Sequence, residues 1–417
     1  MNDFSIRECR ESCFFGGFAL LGIGLSIVTA KLLADYLTAH QFGEYQLLGS
    51  YVGLLTIFSL SGYGVSIQKR IFANEDWYIG YFIFRVLPCS LLVLVIGGAS
   101  FVVLSGDALL DTDLLFLALA VGVFRIFDHS APILYAKLKF KEVRYLDLLS
   151  KLFWVITLVS VMSIEVGFTA ILKLYVVYGI MFVLIKMVYA VRSLRSDLNW
   201  KIRAIDRLAF HSEGMRTTLV ATVAIAATHI ERLILGILNP SLLALFFIGQ
   251  VIPSAVKDNG KIFLIPILNT WAKSGSSVNQ QNVWKYRYRF FWFGVLMFFG
   301  TVLGAPLFIG LLFQDYVEAV YISQILSIPL IFKFLDLGMA SSMALGTQTK
   351  AFNDINLWVN ILKIILGLVL IPVYGINGAI VSVLVFELTR GALVYHRFTI
   401  ARKHVAERGE MASNREP

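Results

Sequence analysis

Long apolar runs recur along the whole chain, and they constrain its fold more than any other feature. A helix needs about twenty apolar residues to cross the hydrocarbon core of a bilayer. Lipid offers the backbone no hydrogen-bond partners, so each span is predicted to be helical. The runs do not alternate apolar with polar residues, which argues against a β-barrel. The sequence therefore predicts an all-α polytopic membrane protein with twelve transmembrane helices, at residues 14–36, 45–67, 78–104, 114–136, 145–162, 169–191, 217–238, 242–269, 290–312, 320–346, 355–373 and 378–396.

Composition supports a membrane protein over a soluble one. Hydrophobic residues make up 58% of the 417 residues and charged residues only 15%, whereas soluble domains carry roughly 25% charged residues. The net charge of +9 does not indicate nucleic-acid binding, because the basic residues are scattered through short loops between the apolar runs.

The distribution of basic residues tests the predicted number of helices. Of the 36 Lys and Arg residues, 24 fall in the two tails and the even-numbered connections, 12 fall within spans, and none falls in the odd-numbered connections. Positively charged loops stay on the cytoplasmic side of a membrane. Both termini are therefore predicted to be cytoplasmic, and an error of a single helix would destroy this segregation.

A polar connection at residues 192–216 divides the chain into two sets of six spans. The predicted organisation is an N-terminal six-helix bundle at 1–191, a cytoplasmic linker at 192–216, a C-terminal six-helix bundle at 217–398 and a cytoplasmic tail at 399–417, with a central cavity between the bundles. Short echoes favour a duplication of the kind common in transporters. The echoed segments are 31–37 with 232–238, 125–128 with 333–336, and 169–171 with 378–380.

Twelve basic residues within spans could not all face lipid, because a charged side chain at the bilayer centre is costly. A long side chain near a helix end can reach the interface. That explanation suffices for Lys151, Lys173 and Lys186, and it could also apply to Lys31 and Arg232. It does not suffice for four cations that lie eight or more residues from either end of their spans, namely Arg125, Lys257, Lys333 and Lys363.

Two interpretations of these central charges remain open. In the first, opposite charges at i, i+3 share a helix face and neutralise each other. The pairs are Arg125 with Asp128, Lys333 with Asp336, and Glu387 with Arg390. In the second, basic groups line a water-filled cavity for an anionic passenger, since Lys and Arg bind phosphate. Lys257 and Lys261, at i, i+4 with only Asp258 nearby, favour the second interpretation.

One stretch resembles a known family. Residues 30–71 carry a basic residue late in the first helix, then Phe-Gly-x-Tyr in a short loop, then Gly-x-Gly near the end of the second helix. The matching residues are Lys31, Phe42, Gly43, Tyr45, Gly62 and Gly64. This pattern resembles Wzx-type polysaccharide repeat-unit (O-antigen) flippases of the multidrug/oligosaccharidyl-lipid/polysaccharide exporter superfamily. Residues 229–252 and 312–320 also resemble segments of that family.

The resemblance implies a non-enzymatic flippase in the bacterial inner membrane, without cofactor or metal. It would move undecaprenyl-pyrophosphate-linked oligosaccharides for O-antigen, capsule or exopolysaccharide from the cytoplasmic to the periplasmic leaflet. Its partners would be this lipid-linked oligosaccharide, membrane lipids, and polysaccharide polymerase and chain-length proteins. Expected headgroup contacts are the cavity cations Arg125, Lys257, Lys261, Lys333, Lys363, Lys31 and Arg232. Expected ion- or proton-coupling groups are Asp128, Asp336 and Glu387.

Three alternatives compete with the flippase. A cation-coupled multidrug exporter shares the twelve helices, but its usual cationic substrates favour an acidic cavity. A membrane-embedded polymerase or ligase typically carries a large outward loop, and the outward loops here are short. A structural membrane protein fits the predicted topology but leaves the buried charges unexplained.

Overall fold

The computed structural model is helical throughout the part of the chain that it describes. The described backbone covers residues 3–60, 62–73, 75, 78–105, 133–134, 137, 140–164, 167–194, 207–273, 276–345 and 348–413. The main helices are α1 (Asp3–Tyr36), α2 (Ala39–Leu55), α3 (Tyr63–Phe72), α4 (Leu87–Ser105), α5 (Phe140–Met162), α6 (Phe168–Leu194), α7 (Arg207–Leu238), α8 (Pro240–Lys273), α9 (Ser276–Lys285), α10 (Arg287–Leu312), α11 (Ala319–Leu326), α12 (Leu330–Leu345), α13 (Thr349–Tyr374) and α14 (Ile376–Ser413).

These helices confirm an all-α polytopic membrane protein. Within the described ranges, seven helices are long and apolar enough to cross a membrane, or eight if α11 and α12, bent by 42°, form one span. Eleven of the twelve predicted spans coincide with described helices, and the fourth, 114–136, lies almost entirely outside the described residues. Two helices extend well beyond their predicted spans: α7 begins at Arg207, and α14 continues to Ser413.

Local signals explain where several helices begin and end. Thr38 caps α2 through a reciprocal capping box, in which each of Thr38 and Gln41 accepts a hydrogen bond from the other's backbone N–H. Pro240 opens α8, a position where its missing N–H costs no helical hydrogen bond. Gly375, at φ +57°, separates α13 from α14. The second predicted span is broken instead at Leu60, which has a left-handed backbone at φ 52°.

The two halves of the chain meet along α2 and α3, which pack against α7. At one end, a Cβ on Gly43 would lie 1.9 Å from the carbonyl oxygen of Pro240. At the other end, a Cβ on Gly62 would lie 2.1 Å from the backbone nitrogen of Thr218. The backbones therefore approach as closely as only glycine permits.

A second contact between the halves involves α1 and α8. The last turns of α1 contribute Ala30 and Leu33, and the next residue contributes Leu37, to the same buried cluster as Ile248 and Ile252 of α8. The earlier part of α1 packs against α5, where Lys151 donates hydrogen bonds to the backbone carbonyl of Gly22 and to the hydroxyl of Ser26. In the C-terminal half, α12, α13 and α14 pack against one another, and α13 also packs against α7.

Candidate functional site

A network of charged side chains joins α8, α12 and α14. Lys333 of α12 donates a hydrogen bond to Glu387 of α14 at 2.6 Å. One turn further along both helices, Arg390 donates to Asp336 at 2.8 Å. Lys257 of α8 lies 3.6 Å from the other carboxylate oxygen of Glu387. Because the side chains of Lys333, Glu387 and Asp336 are only 10%, 10% and 6% exposed, the network lies inside the C-terminal half.

The spacing of the sequence explains this geometry. Lys333 and Asp336 lie at i, i+3 on α12, and Glu387 and Arg390 lie at i, i+3 on α14 in the opposite order of charge. Each helix therefore presents one cation and one anion on the same face. In both cross-helix pairs the two partners are 54 residues apart in the sequence. The two contacts therefore follow one another in the same order along α12 and along α14. The Lys333–Asp336 distance within α12, 3.8 Å, is longer than either cross-helix contact.

A second buried pair connects α7 with α13. Lys363 lies 2.8 Å from Glu231, and their side chains are 9% and 3% exposed. The Lys363 ammonium also lies 4.9 Å from the centre of the Phe386 ring of α14. Such a contact stabilises a desolvated cation, because the face of an aromatic ring is electronegative.

The structure separates the other predicted cations from this network. Arg232 of α7 donates to Gln250 of α8 at 3.1 Å and lies over the ring of Phe247. Lys31 pairs with Asp35 on its own helix at 2.5 Å, where the two side chains are 32% and 55% exposed. Three further predicted residues lie outside the described part: Arg125, Asp128 and the side chain of Lys261.

Sequence reasoning missed several members of the site. Arg390 and Glu231 were absent from the expected site residues, although each binds one that was included. Asn356 of α13 was also missed, and its side-chain oxygen accepts a hydrogen bond from Nε of Arg390 at 3.1 Å. The i, i+3 spacing of Glu387 and Arg390 was the available signal for Arg390. Periodicity within one helix carried no signal for Glu231 or Asn356, because their partners lie on other helices.

Three cavities adjoin Lys333. One, of about 50 Å³, is also lined by Lys257 and Glu387, and the other two are larger. The first of the larger two, about 380 Å³, lies between α12 and α14, and its walls are mostly apolar. The second, about 340 Å³, lies among α7, α12, α13 and α14. Its polar and aromatic lining residues are Thr217, Thr228, Lys333, Thr349, Phe352, Asn353, Asn356, Asn360, Phe386 and Arg390.

The charges of the site nearly balance. Its four cations, Lys257, Lys333, Lys363 and Arg390, each lie within 4 Å of one of three carboxylates, those of Glu231, Asp336 and Glu387. The positive excess expected from the sequence is therefore small among these residues. An anion that enters the site would compete with a carboxylate for its cation, and a proton on a carboxylate would release that cation.

The fold is shared with solved transporters. An outward-facing multidrug resistance MATE family transporter of the MOP superfamily matches with a TM-score of 0.63 at 11% identity, covering 94% of this chain and 97% of the other. A MATE transporter in a bent conformation gives a TM-score of 0.63 at 10% identity, with 96% of each chain covered. The Vibrio cholerae MATE transporter VcmN in its bent form gives 0.60 at 13% identity, covering 95% of this chain and 97% of the other.

The chain thus has the fold of MATE transporters of the MOP superfamily. These similarities run the full length of the chain, so the shared fold includes both halves. No protein-family model matches the sequence, and no curated protein matches it. At identities of 10–13%, the likeness defines the fold alone.

Proposed function

We propose that this chain is a membrane exporter that moves its substrate by alternating access. The observation that carries the proposal is the buried ion network of Lys333, Glu387, Asp336 and Arg390 within a transporter fold. Ionisable residues inside a membrane are expensive, and they commonly mark substrate or ion pathways. Asp336 and Glu387 are proposed as coupling groups, since protonation of either would free the cation that it binds.

Two substrate classes are candidates for this exporter. The solved neighbours are MATE transporters, two of the structures being described as multidrug resistance transporters, and they favour a multidrug exporter over an oligosaccharide flippase. Amphipathic cationic drugs would bind a carboxylate of the site. In this arrangement, however, Glu231, Asp336 and Glu387 are all already engaged by cations.

The second candidate is the flippase for undecaprenyl-pyrophosphate-linked oligosaccharides. It is supported by the family resemblance at residues 30–71 and by the amide- and hydroxyl-lined cavity beside Lys333 and Arg390. Under this candidate, the diphosphate would compete with Glu387 and Asp336 for their cations. The protein would reside in the bacterial inner membrane with both termini cytoplasmic, and polymerase and chain-length proteins would act after it.

The deciding experiment measures which leaflet holds the lipid-linked oligosaccharide in cells with and without this protein. The sugar is labelled metabolically and probed from the outer face of spheroplasts, and ethidium accumulation is measured in the same strains. Intact oligosaccharide trapped on the inner face supports the flippase. An unchanged leaflet distribution with raised ethidium accumulation supports the multidrug exporter. Oligosaccharide that reaches the outer face but stays unpolymerised points to an enzyme and contradicts both candidates.

Variants of the network tie either result to the site. Lys333→Met removes the cation shared by Glu387 and Asp336, and Lys31→Met removes a half-exposed cation outside the network. Transport should be lost in the first variant and retained in the second, at equal amounts of inserted protein. Equal transport by both variants would remove the network from the mechanism.

A further inference from the structure

Three asparagines of α13 lie on one face of the helix and line the same cavity. Asn353, Asn356 and Asn360 are spaced at i, i+3 and i+7, which places them in a single row. The cavity that they line has a volume of about 340 Å³. A row of three amides inside a membrane bundle is costly unless each amide has a hydrogen-bond partner.

These amides have unused hydrogen-bonding capacity. Asn353 is only 6% exposed, and its side chain has no hydrogen-bond partner among the described residues. The amide nitrogen of Asn360 bonds to the backbone carbonyl of Asn356, whereas its side-chain oxygen accepts no hydrogen bond from a described residue. Leaving a buried amide unpaired costs about 1–3 kcal/mol. No polar atom of the Asn353 or Asn360 side chain is both fully buried and unpaired, so their free polar atoms are open to the cavity. The cavity can therefore hold an occupant with several donors and acceptors, either water or a ligand.

The other walls define the chemistry of that occupant. The hydroxyls of Thr217 and Thr228 donate to backbone carbonyls of α7, which leaves their oxygens as acceptors. The rings of Phe352 and Phe386 provide flat apolar faces. Among the described residues that line this cavity, none is a carboxylate. Neutral amides, hydroxyls and aromatic faces suit a polyhydroxylated group better than a cation.

We propose that this cavity binds the sugar portion of a lipid-linked oligosaccharide, and that the three asparagines of α13 hydrogen-bond to the hydroxyl groups of the sugar. The proposal rests on the flippase candidate and names the subsite for its headgroup. Lys333 and Arg390 line the same cavity, so a diphosphate joined to the sugar would lie within reach of both cations. The lipid tail stays outside this subsite.

The test is a binding assay on the full chain in nanodiscs. The probes are lipid-linked oligosaccharide extracted from cells that make it, undecaprenyl pyrophosphate without sugar, and ethidium. We expect the unchanged protein to prefer the oligosaccharide-bearing lipid. Asn353→Leu combined with Asn360→Leu should lower affinity for that lipid about tenfold, because two hydrogen bonds are lost. Affinity for the sugar-free lipid should remain unchanged.

Two further variants keep the test decisive if the double variant folds poorly. Thr228→Val removes a hydroxyl at an exposed position of α7 and should lower affinity for the oligosaccharide-bearing lipid by about threefold. Asn282→Leu, on α9 and outside this cavity, is the matched control and should change nothing.

The outcomes separate this proposal from the flippase itself. If the unchanged protein prefers the oligosaccharide-bearing lipid and the asparagine variants keep that preference, the subsite is wrong while the flippase stands. If the unchanged protein does not distinguish the two lipids, or binds ethidium alone, both fail.

Discussion

The two halves of this molecule use charge in different ways. In the C-terminal half, Lys333, Glu387, Asp336 and Arg390 are at most 17% exposed and bind across helices. In the described part of the N-terminal half, the pairs are more exposed. Lys186 and Asp147 are 25% and 36% exposed, and Lys31 and Asp35 are 32% and 55% exposed.

This contrast shows that helices in equivalent positions of the two halves can carry different side-chain interactions. The segment at 31–37 ends α1 and its echo at 232–238 ends α7, so the two segments occupy equivalent positions. Yet Lys31 pairs locally near a helix end, whereas its counterpart Arg232 is partly buried and contacts Gln250 and Phe247 of another helix. Within the described residues, the buried polar chemistry is concentrated in the C-terminal half.

The largest expected effect is on transport. Lys257→Ala combined with Lys261→Ala should abolish export, because it removes two cations from the face of α8 that carries the contact with Glu387. Export is followed by the leaflet assay, and insertion by protease protection of a C-terminal tag. Lys31→Ala is the matched control in the N-terminal half. Full activity of the double variant would exclude both lysines from the site.

The next effect is on stability. Lys363→Met leaves Glu231 buried without its cation, which should cost about 3–5 kcal/mol of the free energy of unfolding. The measurement is unfolding of the detergent-solubilised protein. A matched variant, Lys363→Met with Glu231→Met, should recover most of the loss, since no unpaired charge remains. A single variant as stable as the unchanged protein would show that the pair is not buried.

A smaller effect is expected when Arg125 and Asp128 are exchanged. This exchange tests whether the N-terminal half has its own counterpart of the ion network. Residues 125–128 echo 333–336, so Arg125 and Asp128 correspond to Lys333 and Asp336. If these two charges only neutralise each other, exchanging them should change transport by no more than about twofold, as for local pairs elsewhere in this half. Loss of transport would indicate that Arg125 contacts the substrate. It would also mean that the N-terminal half, like the C-terminal half, uses its charges for transport.

The smallest effect is expected at the end of α1. Lys31→Met removes a half-exposed pair, which should lower the free energy of unfolding by about 0–1 kcal/mol. Thermal unfolding in detergent measures this change beside Lys363→Met. Equal losses in the two variants would mean that the two halves bury their charges alike.

The fold was predictable from the sequence because long apolar runs admit few structures. The partners of the buried charges were not predictable. Spacing pairs Lys333 with Asp336 on one helix, but the closest contact of Lys333 is with Glu387, 54 residues away. Such contacts depend on how helices pack, and hydropathy carries no record of that packing.

The matched spacing on α12 and α14 has a consequence for how the protein is made. A chain is synthesised from its N-terminus, so α12 exists before α14. During that interval Lys333 has Asp336 as an opposite charge on its own helix, and Glu387 later arrives with Arg390 in the same way. Each helix can therefore enter the bilayer neutral, and the charges exchange partners when the helices meet. The spacing of i, i+3 would thus serve insertion first, by pairing opposite charges within one helix. In the folded protein the same charges bind across the two helices instead.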